Sequence, residues 1–109
     1  MVVSITPDEF ERLVGEALDS LPQQFVKLLH NVVVVVEDEP SDDDRDLAGE
    51  NELLGIFRIE PPLPDQIAIF RKPILRIARN RHEAVREVRE TVIHELGHYF
   101  GLNDDEMIY

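Results

Sequence analysis

The stretch TVIHELGHYFGLND, residues 91–104, brings two histidines, a glutamate, a glycine and an aspartate together in one short segment. From Arg81 onward apolar residues recur at helical spacing, with charged residues between them, which predicts one long helix from Arg81 to Phe100. Gly101 follows where a left-handed C-terminal cap would fall. The stretch therefore predicts a helix that ends in a sharp turn and carries its reactive groups at the carboxyl end.

His94 and His98 lie four positions apart, so on a helix their side chains project about 40° from one another and can bind one cation. Glu95 points about 100° away from His94, which suits a general base better than a third ligand. The chain contains no cysteine, so any metal must be held by histidine or carboxylate side chains. This spacing predicts a metal site with a base beside it.

Catalytic zinc takes three protein ligands and leaves one position for water. Asp104 follows the predicted turn at Gly101 by three residues and can return a carboxylate to the two histidines. Asp105 is the alternative third ligand. The competing interpretation is an ordinary helix whose surface histidines pair with carboxylates.

The pattern His94-Glu95-x-x-His98-x-x-Gly101-x-x-Asp104 resembles the zincin metallopeptidase signature in its extended, metzincin-like form, with aspartate where a third histidine is usual. The chain also resembles, over most of its length, a bacterial family of minimal zincin-like metallopeptidases. The resemblance implies that both histidines and the aspartate bind zinc and that the glutamate is the base and proton shuttle of peptide-bond hydrolysis. It also implies that the glycine forms the turn.

The residue pattern in the first half of the chain predicts two helices and one strand. Thr6 and Pro7 are a helix start, with an apolar stripe behind them, and Gln23 to His30 predict a short second helix. The uninterrupted valines of residues 32–36 suit a strand covered on both faces, which we interpret as the central strand. The acidic, turn-rich residues from Glu37 to Glu52 predict an exposed loop.

Two further strands are predicted, from Leu53 to Ile59 and from Gln66 to Arg71, followed by a short helix from Ile74 to Arg79. The predicted fold is a single α+β domain over residues 1–109, a minimal zincin-like fold in which a small mixed β-sheet packs against helices including the C-terminal active-site helix. As in zincins, an edge strand would hold an extended peptide substrate by strand addition. We assign that role to Ile67, Ala68, Ile69 and Phe70.

The chain is strongly acidic, with a net charge of −12 from 23 acidic and 11 basic residues. Such a surface repels phosphate backbones and anionic lipid, so we expect a peptide or protein substrate and neither nucleic acid nor membrane as partner. No apolar run is long enough to cross a bilayer, and we expect a cytoplasmic location. Two alternatives remain: a metal-dependent endoribonuclease, since one such family uses a similar helix and turn, and a non-catalytic zinc-binding or interaction module.

Overall fold

Five α-helices and three strands make up residues 5–48 and 53–100, the part of the chain that the computed structural model describes. The helices are α1 (Pro7–Asp19), α2 (Gln23–Val26), α3 (Asp42–Ala48), α4 (Arg71–Ile77) and α5 (Arg81–Tyr99), and a 3-10 turn (Lys27–Leu29) follows α2. The strands are β1 (Val32–Glu37), β2 (Gly55–Arg58) and β3 (Asp65–Phe70). This mixture of helices with a small mixed sheet confirms the predicted α+β class.

Helices α1 and α5 begin at polar side chains that cap them. The Thr6 hydroxyl accepts a hydrogen bond from the Glu9 N–H (3.2 Å), and the Asn80 side chain accepts one from the Glu83 N–H (2.9 Å). Each cap satisfies a main-chain donor that the first turn of a helix leaves unpaired. Both helices therefore begin at local signals, and the predicted bounds of α5 agree with the structure to within one residue.

The sheet has the strand order β1-β3-β2, with β3 parallel to β1 and antiparallel to β2. The prediction that the valine strand is central is wrong, because β1 lies at one edge and β3 occupies the centre. The prediction that both faces of this strand are covered is also wrong, because no residue of β1 is fully buried and Val33 is 45% exposed. An apolar run carries no information about whether both edges of a strand are paired.

One face of the sheet forms the core with α1, α4 and α5. Ile67 and Ile69 of β3 are fully buried there. The helical residues that share this core are also buried, among them Phe10, Leu13, Ala17, Ile74, Val88, Val92 and Leu96. Because burial of large apolar side chains is the main driving force of folding, this layer fixes the position of α5 against the sheet.

The acidic segment after β1 contains helix α3, so the prediction of an exposed loop is wrong over these residues. Ser41 and Asp44 form a reciprocal cap, in which the Asp44 N–H donates to the Ser41 hydroxyl (3.1 Å) and the Ser41 N–H donates to the Asp44 carboxylate (3.0 Å). Arg58 of β2 then donates to Asp44 (2.7 Å) and to Glu37 (2.7 Å). The cap and the long-range ion pairs stabilise a helix where composition indicated a loop.

Candidate metal centre

His94 and His98 lie together on the exposed face of α5, in its last turns. Their ring centroids are 4.1 Å apart and their planes are inclined by 55°. The opposite face of these turns is buried, with Ile93, Leu96 and Gly97 against the core. The burial of that face directs both imidazoles away from the core and toward the same region of solvent, as the four-residue spacing predicts.

The two imidazoles fit two positions of a zinc site. Neutral imidazole nitrogen is a common zinc ligand, and rings this close on one helix face can reach one cation without a change in the backbone. Among residues 5–48 and 53–100, no three His, Cys, Asp or Glu side chains form a group that could hold a metal. The predicted third ligand Asp104, its alternative Asp105 and the turn residue Gly101 all lie outside the described residues.

Glu95 lies between this exposed face and the sheet, and its side chain is half-buried. Burial raises the pKa of Glu95 above its ordinary value, against the opposing effects of the nearby His98 and of a hydrogen bond from the Phe57 main chain. A carboxylate with a raised pKa takes up and returns a proton more readily near neutral pH. The Glu95 side chain thus lies on the face next to the two histidines, as the helical spacing predicts.

Strand β2 borders this end of α5 closely. A Cβ atom placed on Gly55 would lie 2.6 Å from Cγ2 of Thr91 and 2.9 Å from the Ala68 carbonyl oxygen, so a larger residue here would force neighbouring atoms to shift. The Phe70 N–H donates to the Leu54 carbonyl (2.9 Å), so these two residues form a hydrogen-bonded pair between β3 and β2. In an antiparallel pair of strands, hydrogen-bonded residues alternate with residues whose main-chain groups point outward. The main-chain N–H and C=O of Gly55 and Phe57 therefore point away from β3. The outer edge of β2 is thus the sheet edge that lies beside Glu95.

The prediction that Ile67, Ala68, Ile69 and Phe70 form a substrate-binding edge strand is wrong. These residues belong to the central strand β3 and are fully buried. Both of its edges are already hydrogen-bonded, one to β1 and one to β2, so no main-chain edge remains for a peptide. The edge assignment followed the resemblance to zincins, whereas strand order depends on long-range pairing.

Sequence reasoning missed Asp65 as a neighbour of the site. Tyr99 donates a hydrogen bond from its hydroxyl to Asp65 (2.9 Å), and its ring stacks on Phe57. That hydrogen bond raises the pKa of Tyr99. The helical pattern predicts a buried aromatic at Tyr99, but the residue is 39% exposed, with its ring stacked on Phe57 at the edge of the sheet. No local sequence signal connects residues so far apart.

Comparison with known proteins agrees with this architecture. The sequence profile of the zincin-like metallopeptidases matches residues 29–109, and the chain belongs to that family. Members of this class are normally zinc-dependent hydrolases. A solved structure of a conserved hypothetical protein from Thermo thermophilus is similar, with a TM-score of 0.59 and 26% sequence identity over 88% of this chain and 94% of that one. No curated protein matches the chain.

In the described ranges, no helix is both long enough and apolar enough to cross a membrane.

Proposed function

We propose that this protein is a zinc-dependent peptidase in which His94, His98 and Asp104 hold the metal and Glu95 is the general base. The observation that carries the proposal is the arrangement on α5. Two imidazoles with ring centroids 4.1 Å apart share an exposed face, and a half-buried carboxylate with a raised pKa lies on the adjacent face toward β2. If His94 and His98 were only surface histidines of an ordinary helix, there would be no reason for a half-buried carboxylate beside them at the edge of the sheet.

Zinc held by these residues would supply a Lewis acid that polarises a peptide carbonyl and lowers the pKa of water. The protein's own contribution is proton transfer and orientation. Glu95 takes a proton from the water whose oxygen attacks the carbonyl carbon. It then passes that proton to the nitrogen of the leaving amine as the carbon–nitrogen bond breaks. The Phe57 main chain, which hydrogen-bonds to Glu95, keeps the carboxylate at the edge of the sheet.

We place the substrate at the outer edge of β2 instead of at β3. An extended peptide could add along the outer edge of β2 through the Phe57 carbonyl, because the Phe57 N–H already donates to Glu95, and this would bring a scissile bond alongside Glu95. The stacked ring of Tyr99 would border this path. The net charge of −12 favours a peptide or protein substrate over nucleic acid.

The first test is the metal content of the purified protein by elemental mass spectrometry, after zinc reconstitution and gel filtration. Near-stoichiometric zinc is expected in the wild type and should be lost in His94→Ala and Asp104→Ala. His82→Ala is the matched control, since His82 is an exposed histidine in the first turn of the same helix. If the wild-type protein contains no zinc after reconstitution, the proposal is wrong and the motif is an ordinary helix with two surface histidines.

The second test is hydrolysis of a peptide library by the wild type and by Glu95→Gln. The amide cannot take up a proton, so cleavage should fall by about 10²- to 10⁴-fold while zinc content is unchanged. Full cleavage by a zinc-loaded Glu95→Gln protein would contradict the assigned role. Stoichiometric zinc without cleavage of any peptide would favour the non-catalytic module, and cleavage of RNA would favour the nuclease.

A further inference from the structure

Strand β1 leaves a long main-chain edge unpaired in the described part of the chain. β3 pairs with one side of β1 along an unbroken register from Val32↔Asp65 to Glu37↔Phe70. No described strand pairs with the other side. The strand has no proline, lysine or bulge, which are the usual devices that keep an edge from pairing, and Val33 is 45% exposed. Such an edge can accept another extended strand.

A groove runs between this edge and helix α1. It has a volume of about 450 Å³ and is lined by Val34, Val35 and Val36 of the strand and by Glu11, Gly15 and Leu18 of the helix. A Cβ atom on Gly15 would meet no atom within 4 Å, so the glycine leaves space beside the strand. A free strand edge next to a helix is an arrangement in which protein domains bind extended peptides by strand addition.

The charge at the rim of the groove indicates which kind of peptide fits. Within the described residues Glu11 makes no ion pair, whereas the neighbouring Glu9 and Glu16 both pair with Arg81. The valines offer apolar contacts and Glu11 offers an uncompensated negative charge. A second copy of this chain would bring Glu11 and a net charge of −12 against the same charges, which disfavours self-association.

We propose that the groove between α1 and β1 binds an extended segment of another protein in which apolar residues alternate with lysine or arginine. The bound segment would pair with the main chain of β1, seat its apolar side chains on the valines and approach Glu11 with its basic side chains. β3 separates this groove from β2, so the proposal concerns a second site at the opposite edge of the sheet. It does not depend on the proposed peptidase activity.

The probe is a fluorescent synthetic peptide of alternating valine and lysine, as long as β1, titrated with the full-length protein by fluorescence anisotropy. We expect saturable binding that is about tenfold tighter than that of a peptide of alternating valine and glutamate. N-methylation of the alternate amides that face β1 should abolish binding, while N-methylation of the other amides should not. Failure of the valine–lysine peptide to bind, or equal loss in both methylated series, would overturn the proposal.

Two protein variants test the location of the site. Gly15→Leu places a side chain in the groove at a position where a Cβ atom meets no atom within 4 Å, and it should weaken binding about tenfold or more, with circular dichroism and urea unfolding showing that the fold is kept. Glu11→Lys should weaken binding of the valine–lysine peptide and strengthen that of the valine–glutamate peptide. Glu60→Lys makes the same charge change at an exposed residue that does not line the groove and should have little effect. Binding that is insensitive to both Gly15→Leu and Glu11→Lys would place the peptide elsewhere and overturn the proposal.

Two further experiments show whether something other than a segment of another protein covers the free edge of β1. A concentration-dependent dimer in sedimentation velocity that Gly15→Leu returns to monomer would mean that a second copy covers β1. Tighter peptide binding by a variant lacking residues 1–4 would mean that the chain's own amino-terminal segment competes for the groove. Either result would overturn the proposal, whereas a monomer with unchanged affinity after the truncation would support it.

Discussion

Phe57 and Tyr99 stack face to face, with ring centroids 4.0 Å apart and planes inclined by 8°. The same tyrosine donates a hydrogen bond to Asp65, so one side chain joins the end of α5 to both β2 and β3. His98 precedes Tyr99 in the chain. Contacts that hold Tyr99 therefore also limit the freedom of the last turn that carries this histidine.

Substitution of Tyr99 should separate the two contacts. Tyr99→Phe keeps the stack and loses the hydrogen bond to Asp65, so it should lower the midpoint of urea unfolding only slightly. Tyr99→Ala loses both contacts and should lower the midpoint further and also weaken zinc binding, because the last turn of α5 is less restrained. Asp65→Ala, which removes the acceptor of the hydrogen bond and leaves the stack, is the matched control. Equal midpoints for Tyr99→Phe and Tyr99→Ala would show that the stack contributes nothing.

Two glycines should respond in opposite directions to the same substitution. Gly55→Ala places a methyl group 2.6 Å from Thr91 Cγ2 and 2.9 Å from the Ala68 carbonyl oxygen, and should lower the free energy of unfolding by about 1–3 kcal/mol. Gly15→Ala meets open space within α1 and should raise it by about 0.5–1 kcal/mol. Urea unfolding measures both. A stable Gly55→Ala protein would mean that β2 and α5 can separate without cost.

Zinc should stabilise the folded chain by mass action. At a free zinc concentration about a hundredfold above the dissociation constant, the free energy of unfolding should rise by about 2.7 kcal/mol, and EDTA should remove this gain. His98→Ala and Asp104→Ala should show no such gain, whereas His82→Ala should behave like the wild type. A gain that persists in Asp104→Ala would exclude this residue as the third ligand.

The pKa of Asp44 predicts a pH dependence of stability. Burial alone would raise this pKa, but hydrogen bonds from Arg58 and Ser41 outweigh burial and lower it below the ordinary value of 3.8. Because the folded pKa is the lower one, the stabilisation is complete above the ordinary value and is lost as pH falls through the folded value. Asp44→Asn should therefore be less stable than wild type at neutral pH and lose less stability on acidification.

Asp43→Asn provides the control for this experiment, since Asp43 is an exposed residue in the same helix turn. It should follow the wild-type pH profile in urea unfolding. An Asp44→Asn profile parallel to that of the wild type at acid pH would show that the ion pair with Arg58 does not couple protonation to folding.

Local sequence signals predicted helices α1 and α5, and α5 carries the candidate metal centre. Thr6 with Pro7 starts α1, and the apolar periodicity of residues 81–99 defines α5, because caps and helical faces depend on residues a few positions apart. The same spacing placed His94 and His98 on one face with Glu95 on the next. Helix α3 was missed although Ser41 and Asp44 form a local cap at its start, because the acidic, turn-rich composition indicated a loop and the ion pair that supports the helix joins Asp44 to the distant Arg58.

Spacing along the chain was enough to predict the long helix α5, a pair of histidines that can share a cation, and a glutamate directed away from them. The central position of β3, the edge positions of β1 and β2, and the contacts of Tyr99 with Phe57 and Asp65 could be seen only in the folded chain. The physical reason is that helical geometry is set by hydrogen bonds between near neighbours. Strand order is set by pairing between distant segments, and an apolar strand presents the same side-chain pattern at the centre of a sheet as at its edge.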